Sequence, residues 1–488
     1  MQASMQDYDS RSTKVNKFKL IGLIMGPLLF FILLVIPAPE GLPERGKIVA
    51  GITLWLVIWW ITEAVSIYAT SLLPLALFPI TGVLSLRAVG AEYMSPIIIL
   101  LLGMFLVVLA LEKSGLQRKI AFAMMSIFGY SPKRIIIGFM ICTALISTVI
   151  MSTTVAILVI PMAFAILSSL SENDVKVSRK FKVTLLLGIA FSSSIGSVTT
   201  LIASPPNLMF AEIVNDLFAK TITFGNWSSV GAPLAVTMLL ISILFFTTKV
   251  RMEQMDETLI RKIITAEKEK IGKITREQSV SLSILLLVLF LMFAAPAWAG
   301  EDSYLETAVI AILGGISLFV IPKTRTEKFL NWSDVQKIPL GVLFVLGAGL
   351  SLSLAFTSSG LADYLGNKLS VVDALPFSIV VILIVSITMI VGNTMSNTAT
   401  AAIFIPIVAS MAALNNWPPL PILAGITLSS SLAFLLPMGT PPNALVYEQG
   451  KVQTKEMIKN GLVLTIAGII VISLFTIFLY PLLLPEIS

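Results

Sequence analysis

Apolar runs close to 20 residues long recur from one end of the chain to the other. A helix of that length crosses the roughly 30 Å hydrocarbon core of a bilayer. The chain has 488 residues, of which 56% are apolar and only 12% are charged, about half the charged fraction of a soluble domain. The sequence therefore predicts an all-α polytopic membrane protein without a soluble domain. The predicted spans are 20–37, 48–62, 66–83, 95–111, 183–214, 229–248, 279–299, 305–322, 340–356, 421–449 and 460–484.

Two further apolar stretches, 133–170 and 374–414, are each interrupted near the middle by small polar residues. Lys and Arg concentrate in the N-terminal tail and in 249–276, 323–337 and 451–459, and such an excess is typical of cytoplasmic loops. Placing all these segments inside gives eleven transmembrane helices, with the N-terminus inside and the C-terminus outside, if each interrupted stretch enters and leaves on one side. The pattern favours two re-entrant hairpins; the alternative is two full spans for each stretch. We expect a multi-pass protein of a bacterial cytoplasmic membrane.

The composition disfavours several classes of protein. The chain has no histidine, which disfavours a metalloenzyme, a Ser-His-Asp hydrolase and a histidine proton relay. Cys142 is the only cysteine, so no disulfide can form within the chain. The net charge of +6 is explained by basic cytoplasmic loops. The sequence has no patch of basic residues interleaved with aromatic residues that would indicate nucleic-acid binding. We expect no enzymatic activity, no nucleic-acid partner and no cofactor.

Two motifs occur twice, in the same order, in the two halves of the chain. Met-Ser-Thr-Thr at 151–154 interrupts the first hairpin, and Met-Ser-Asn-Thr at 395–398 interrupts the second. Some fifty residues after each comes Ser-Pro-Pro-Asn at 204–207 and Thr-Pro-Pro-Asn at 440–443. The serines of the hairpin motifs are 244 positions apart, and the Pro-Pro motifs are 236 apart. Apart from the first span, each half has five predicted crossings, and because that number is odd the halves point in opposite directions, as in the inverted repeats of many secondary transporters.

The repeat divides the chain into four parts. Residues 1–47 hold the N-terminal tail and the first transmembrane helix, and 48–248 form the first inverted repeat with the hairpin 133–170. Residues 249–277 carry many charges of both signs and predict a cytoplasmic connector. Residues 278–488 form the second inverted repeat with the hairpin 374–414.

The Pro-Pro motifs must interrupt their helices at membrane depth. Proline removes a backbone donor and pushes the preceding residue out of the helical region. Irregular backbone is tolerated at that depth only where it is buried in protein or lines a wet cavity. Each break frees a helix N-terminus, which attracts anions without a basic side chain. Carboxylates only accept hydrogen bonds and so suit these amides and hydroxyls, while the freed carbonyls suit sodium.

The simpler explanation for each motif is local: a Ser/Thr side chain bonded to its own helix, or a proline kink. Duplication of both motifs at matching positions favours a binding site instead. The sequence therefore predicts an anion site between the halves.

These paired motifs resemble the divalent anion:sodium symporter family, the sodium-coupled dicarboxylate and citrate carriers and their exchanger relatives. Ser396-Asn397-Thr398 matches the family motif, and Ser152-Thr153-Thr154 matches it with one change. The resemblance covers nearly the whole chain. It implies eleven transmembrane helices, two inverted repeats with re-entrant hairpins, a homodimer in the lipid bilayer, and a transport region that moves as a rigid body in an elevator mechanism.

The resemblance also implies which residues hold the ligands. A small di- or tricarboxylate anion would be bound by Ser152, Thr153, Ser204, Ser396, Asn397, Thr398, Thr440 and Pro441. The possible sodium ligands are Thr148, Ser152, Thr153, Ala203, Met395, Asn397 and Gly439.

Each possible sodium site departs from the family pattern by one side-chain oxygen. Thr153 replaces the asparagine of the first motif, and Gly392 replaces a threonine one turn before the second. Either the sites bind sodium weakly, or the protein exchanges one dicarboxylate for another without sodium. The absence of Lys and Arg from the motifs favours sodium, because an unneutralised dianion is expensive to bury.

On balance the lost ligands favour exchange of small dicarboxylates (the succinate, malate, fumarate and 2-oxoglutarate class) or citrate. Sodium symport is the alternative, and an anion channel is the alternative of a different class. Hairpins and inverted halves favour alternating access over a continuous pore.

Overall fold

The computed structural model consists of helices joined by short connections. It describes residues 17–172, 177–250, 257–258, 260–262, 265, 272–299, 306–323, 327–368, 375–414, 417–449 and 452–483. The first half contains α1 (Lys17–Val35), α2 (Glu44–Thr62), α3 (Ile67–Thr70), α4 (Leu73–Ile80), α5 (Leu86–Glu92), α6 (Pro96–Ser114), α7 (Leu116–Phe128), α8 (Pro132–Ser147), α9 (Ser152–Glu172), α10 (Arg179–Ser197), α11 (Pro205–Phe218) and α12 (Phe224–Lys249). The second contains α13 (Arg276–Ala299), α14 (Thr307–Val320), α15 (Leu340–Ser358), α16 (Leu361–Lys368), α17 (Phe377–Gly392), α18 (Asn397–Leu414), α19 (Pro419–Ser431), α20 (Pro441–Glu448), α21 (Thr454–Leu474) and α22 (Tyr480–Leu483). About half of the predicted connector 249–277 lies outside the described residues, and the tail 1–16 lies wholly outside them.

Within the described residues, eight helices are long and apolar enough to cross a membrane. The multi-pass prediction is confirmed, whereas the count of eleven remains a prediction. The predicted span 66–83 is not one helix, because it turns at 71–72 and is divided between α3 and α4. The predicted span 305–322 contains α14, which has only 14 residues.

The two interrupted stretches form helical hairpins with tight turns at 148–151 and 393–396. The first helices of the hairpins, α8 and α17, each have 16 residues. At 1.5 Å per residue each is about 24 Å long, which is short of the roughly 30 Å hydrocarbon core. This length supports the re-entrant interpretation, although entry and exit on one side remains a prediction.

Both Pro-Pro motifs interrupt the backbone as predicted. Ser204 and Thr440 are extended, with φ of −143° and −141°, and a proline at the first helical position follows each. Pro fits that position because its missing N–H has no helical partner there. A short 3₁₀ turn precedes each break, at Leu201–Ala203 and Pro437–Gly439.

The same order of elements appears in both halves: a long helix, a short helix, a hairpin, a buried helix, a break, the helix that follows the break, and a final helix. The buried helices form the centre of the fold, since every residue in 183–197 and in 420–431 is buried. Elsewhere α6 packs closely on α14, where a Cβ on Gly103 would collide with the backbone of Ala311. The repeat boundaries themselves stay a prediction.

Candidate functional site

The first hairpin turn is bonded to the buried helix α10 and to the broken segment of its own half, residues 198–204 between α10 and α11. The Ser147 hydroxyl is buried and donates to the Ser193 carbonyl at 2.6 Å. The Thr200 hydroxyl donates to the Thr148 carbonyl, while the Thr148 hydroxyl donates to Leu145 of its own helix. The bonds to the Ser193 and Thr148 carbonyls join residues 46 and 52 positions apart and fix the turn beside the break.

The second hairpin turn is held in a comparable place by one asparagine. Asn393 is buried, and its Nδ2 donates to the Met389 carbonyl at 2.7 Å. The backbone N–H of Leu435, in the second broken segment, donates to Asn393 Oδ1 at 2.6 Å. An ideal Cβ on Gly439 would lie 3.4 Å from the Gly392 carbonyl oxygen, so this break also adjoins its hairpin turn.

The Pro-Pro-Asn asparagines make the same pair of bonds in both halves. Asn207 Nδ2 donates to the carbonyls of Ser197 and Thr200 at 3.2 and 2.7 Å. Asn443 Nδ2 donates to the carbonyls of Ala433 and Leu436 at 3.0 and 3.2 Å. In each case the acceptors lie ten and seven residues earlier, and both asparagines are fully buried.

The helix starts show that equivalent residues of the two hairpins are 245 positions apart, rather than 244. Helix α9 begins at Ser152 and α18 at Asn397, and the first helical carbonyls are those of Met151 and Ser396, which accept from Val155 and Thr400. The Ser396 hydroxyl accepts from the backbone N–H of Ala399 at 3.2 Å, which is the bond that an N-cap makes.

The prolines inside the second helices, Pro161 and Pro406, agree with the same register. The pairing of Ser152 with Ser396 is thus wrong by one residue. The structure pairs Met151 with Ser396, Ser152 with Asn397, and Thr153 with Thr398.

The shifted register changes which residues of the two halves are structurally equivalent. Ser147, and not Thr148, corresponds to Gly392, so the first half keeps a hydroxyl where the second has no side chain. Sequence reasoning missed Ser147 and Asn393. Equal spacing to Pro161 and Pro406 was the signal that could have identified them.

The predicted substrate residues lie at helix starts and are only partly covered. Ser152, Ser204 and Thr440 are buried, and Thr153, Ser396, Asn397 and Thr398 are half-buried. Pro441 is exposed. The Thr440 hydroxyl is buried and has no hydrogen-bond partner, which leaves a donor for a ligand. The predicted backbone ligands Ala203, Met395 and Gly439 are buried.

The two halves meet at the breaks. Helix α11, which starts at the first break, packs against α18 and α19, and α20, which starts at the second, packs against α9 and α10. The most direct contact joins the Ser204 and Ser431 hydroxyl oxygens at 3.3 Å, both buried. Over the described residues no cluster of three His, Cys, Asp or Glu side chains forms a metal site. A sodium ion as co-substrate would therefore depend on hydroxyl, amide and carbonyl oxygens.

Comparison with known proteins identifies the family. Residues 17–484 match the model for the sodium:sulfate symporter transmembrane region. The chain belongs to this family. The match confirms the resemblance to divalent anion:sodium symporters, and a family of transporters confirms the expectation that the chain is not an enzyme.

Curated relatives match along almost the full length. A protein of Staphylococcus saprophyticus named "Sodium-dependent dicarboxylate transporter SdcS" is 35% identical over 96% of this chain and 92% of its own. Its namesake in Staphylococcus aureus strain MSSA476 is 34% identical over 97% of this chain and 94% of its own.

Two solved transporter structures share the fold. The YdaH transporter of Alcanivorax borkumensis has a TM-score of 0.55 at 15% identity and covers 80% of this chain and 87% of its own. MtrF of Neisseria gonorrhoeae has a TM-score of 0.58 at 14% identity and covers 96% of each chain. At such low identity the likeness concerns the fold alone.

Proposed function

We propose that this protein is a secondary active transporter that carries small dicarboxylate anions together with sodium. One observation carries the proposal: the helices that begin at the two Pro-Pro breaks each pack against the hairpin and buried helices of the opposite half. Free helix N-termini from both repeats are thus directed into one region. Because prolines occupy the first two positions of both helices and have no N–H, these ends stabilise anions through the helix dipole.

The site provides what a dicarboxylate needs. The first turns that begin at Ser152 and Asn397 supply backbone donors, and the Ser, Thr and Asn side chains add more. The turns after Ser204 and Thr440 begin with two prolines, which have no N–H, so the breaks contribute their hydroxyls and the helix dipole. A carboxylate bound by two or three such donors is held without a Lys or Arg. Four-carbon dicarboxylates such as succinate are the proposed substrates, and citrate is tested beside them.

The relatives' names support sodium symport over the exchange that the sequence favoured. Electrostatics supports it too, since sodium offsets a buried dianion. The first half-site would use the hydroxyls of Ser147 and Ser152 with the Ala203 carbonyl. The second would use Asn397 with the carbonyls of Met395 and Gly439.

Exchange is kept as a second candidate because of one feature of the structure. The second half-site has no side chain at Gly392, and the first has Met151 where the second has Ser396. The second half-site thus lacks the hydroxyl that Ser147 gives the first, and the first lacks the hydroxyl that Ser396 gives the second. Each missing oxygen weakens cation binding.

The remaining expectations extend this proposal. The site region would move as a rigid body between the two faces of a bacterial cytoplasmic membrane, within a homodimer. The N-terminus would lie inside and the C-terminus outside.

The test is uptake of radiolabelled succinate into proteoliposomes, with sodium or potassium outside and with empty or succinate-loaded interiors. Symport predicts uptake into empty vesicles that requires sodium. Uptake only into loaded vesicles, equal in both salts, would replace symport by exchange. Non-saturable flux would instead support the channel.

A further inference from the structure

The two Pro-Pro-Asn asparagines occupy equivalent positions and bond in the same way, although their surroundings differ in sequence. Each is the third residue of a helix that follows a break. Each donates both N–H groups of its amide to the carbonyls of the residues seven and ten positions earlier. The two halves thus use the same pair of hydrogen bonds to close a broken segment.

The bonded carbonyls are those that the break itself exposes. The last carbonyls of a helix have no helical donor, and a buried carbonyl without a donor costs about 1–3 kcal/mol. Asn207 satisfies Ser197, the last residue of α10, and also Thr200, inside the break. Asn443 satisfies Ala433 in the second break and adds a second bond to the Leu436 carbonyl, which also accepts from the Gly439 N–H. The amide therefore sets the path of the backbone between the two helices.

The helices α12 and α21 also contact the same segments. Trp227 Nε1 donates to the Val198 carbonyl at 3.0 Å. A Cβ on Gly231 would collide with that carbonyl, and a Cβ on Gly461 would collide with the Phe434 carbonyl. In each half the broken segment is therefore held both by the asparagine and by close contact with the final helix.

We propose that Asn207 and Asn443 are positioning residues, which clamp the two broken segments so that the backbone and hydroxyls at 203–204 and 439–440 face the transported ions. Neither residue is assigned a direct contact with substrate. The clamp builds on the proposed function, because it orders atoms of that site. Each amide oxygen is buried without a hydrogen-bond partner, so the contribution of the side chain lies in its two N–H donors.

The clamp is tested with Asn207→Leu and Asn443→Leu, which keep side-chain size and remove the donors. Asn215→Leu, at an exposed asparagine on α11, is the matched control. Hydrogen exchange by mass spectrometry on purified protein should show faster exchange in 198–206 for Asn207→Leu and in 433–442 for Asn443→Leu. Loss of two buried hydrogen bonds predicts acceleration of about tenfold or more, confined to the segment of the mutated half.

The second readout is sodium-dependent succinate uptake per folded transporter. The clamp predicts a rise of about tenfold in the sodium concentration for half-maximal uptake, with a smaller change in the control. Merely structural damage would lower the amount of folded protein and the maximal rate without moving that concentration. Asn→Gln variants, which keep the donors on a longer arm, should recover part of the affinity.

Unchanged local exchange in both leucine variants would overturn the clamp whatever the transport data show. Faster exchange with unchanged sodium and succinate dependence would overturn its positioning role. If wild-type protein transports no succinate, the proposed function fails, and the exchange experiment still decides whether the asparagines hold the breaks.

Discussion

Gly392 offers a way to add one oxygen to the second half-site without altering its shape. An ideal Cβ at this position would lie 3.5 Å from the Ser430 carbonyl oxygen and 3.7 Å from the Thr400 side chain. These are ordinary contact distances. Gly392 is not among the glycines with positive φ, so a side chain introduces no backbone strain. Gly392→Ser would place a hydroxyl beside Ser430, as Ser147 places one beside Ser193 in the other half.

The expected magnitude follows from that geometry. The new hydroxyl can donate to the Ser430 carbonyl, a bond worth about 1 kcal/mol, while its lone pairs face the hairpin turn. One further neutral ligand worth about 1–1.4 kcal/mol lowers the sodium concentration for half-maximal uptake by roughly five- to tenfold. Gly392→Ala is the matched control, because it adds the Cβ alone and gains only about 0.5–1 kcal/mol of stability from the restricted unfolded chain.

The assay is initial-rate succinate uptake in proteoliposomes across a series of sodium concentrations. Gly392→Ser should shift the sodium curve, and Gly392→Ala should leave it in place. Equal curves for the two variants would refute the reasoning, because they would show that no cation is bound within reach of residue 392.

Three further predictions concern other parts of the chain. Asn397→Ala should abolish succinate transport while the protein elutes as a folded species in size-exclusion chromatography; normal uptake would remove Asn397 from the site. Burial alone would raise the pKa of Asp334, but the Lys113 ammonium at 2.7 Å and the Asn331 N–H hold it below its ordinary value. Its stabilisation is therefore present above the unfolded pKa and lost as the pH falls through the folded one. Asp334→Asn should lower the melting temperature by a few degrees at pH 7, corresponding to about 1–2 kcal/mol, and by less near pH 3. Burial and then Asp216 raise the pKa of Glu92 to about 7, so the carboxyl loses stabilisation as the pH rises from its unfolded value through 7. Glu92→Gln should be more stable than wild type at pH 8 by about 1 kcal/mol, given partial solvent screening, and equal near pH 4; the reverse order in thermal unfolding would contradict this.

The breaks were predictable because proline dictates backbone conformation locally. The residue before proline is disfavoured in the helical region, and proline fits the first helical turn. A pair of consecutive prolines therefore favours a break at Ser204-Pro205 and at Thr440-Pro441, whereas the single prolines Pro161 and Pro406 lie inside helices. The hairpins were predictable for a similar reason, since small polar residues interrupt both apolar stretches. The span 66–83 was misjudged because hydropathy does not register the turn at 71–72.

The register of the hairpins was missed because one residue type can play two roles. Ser396 is an N-cap, whereas Ser152 is the first helical residue, and matching the letters hides this difference. The bonds of Ser147, Asn393 and Asn207 were also out of reach. Those of Ser147 and Asn393 join segments more than forty residues apart, and that of Asn207 depends on how the break closes.

The most direct test of the account is an electron cryomicroscopy map of the protein in nanodiscs with succinate and sodium. We expect succinate density between the two halves, with its carboxylate oxygens within hydrogen-bond distance of the first-turn N–H groups that begin at Ser152 and Asn397 and of the Ser204 and Thr440 hydroxyls. Succinate density that touches neither break, or that lies within one half alone, would contradict it.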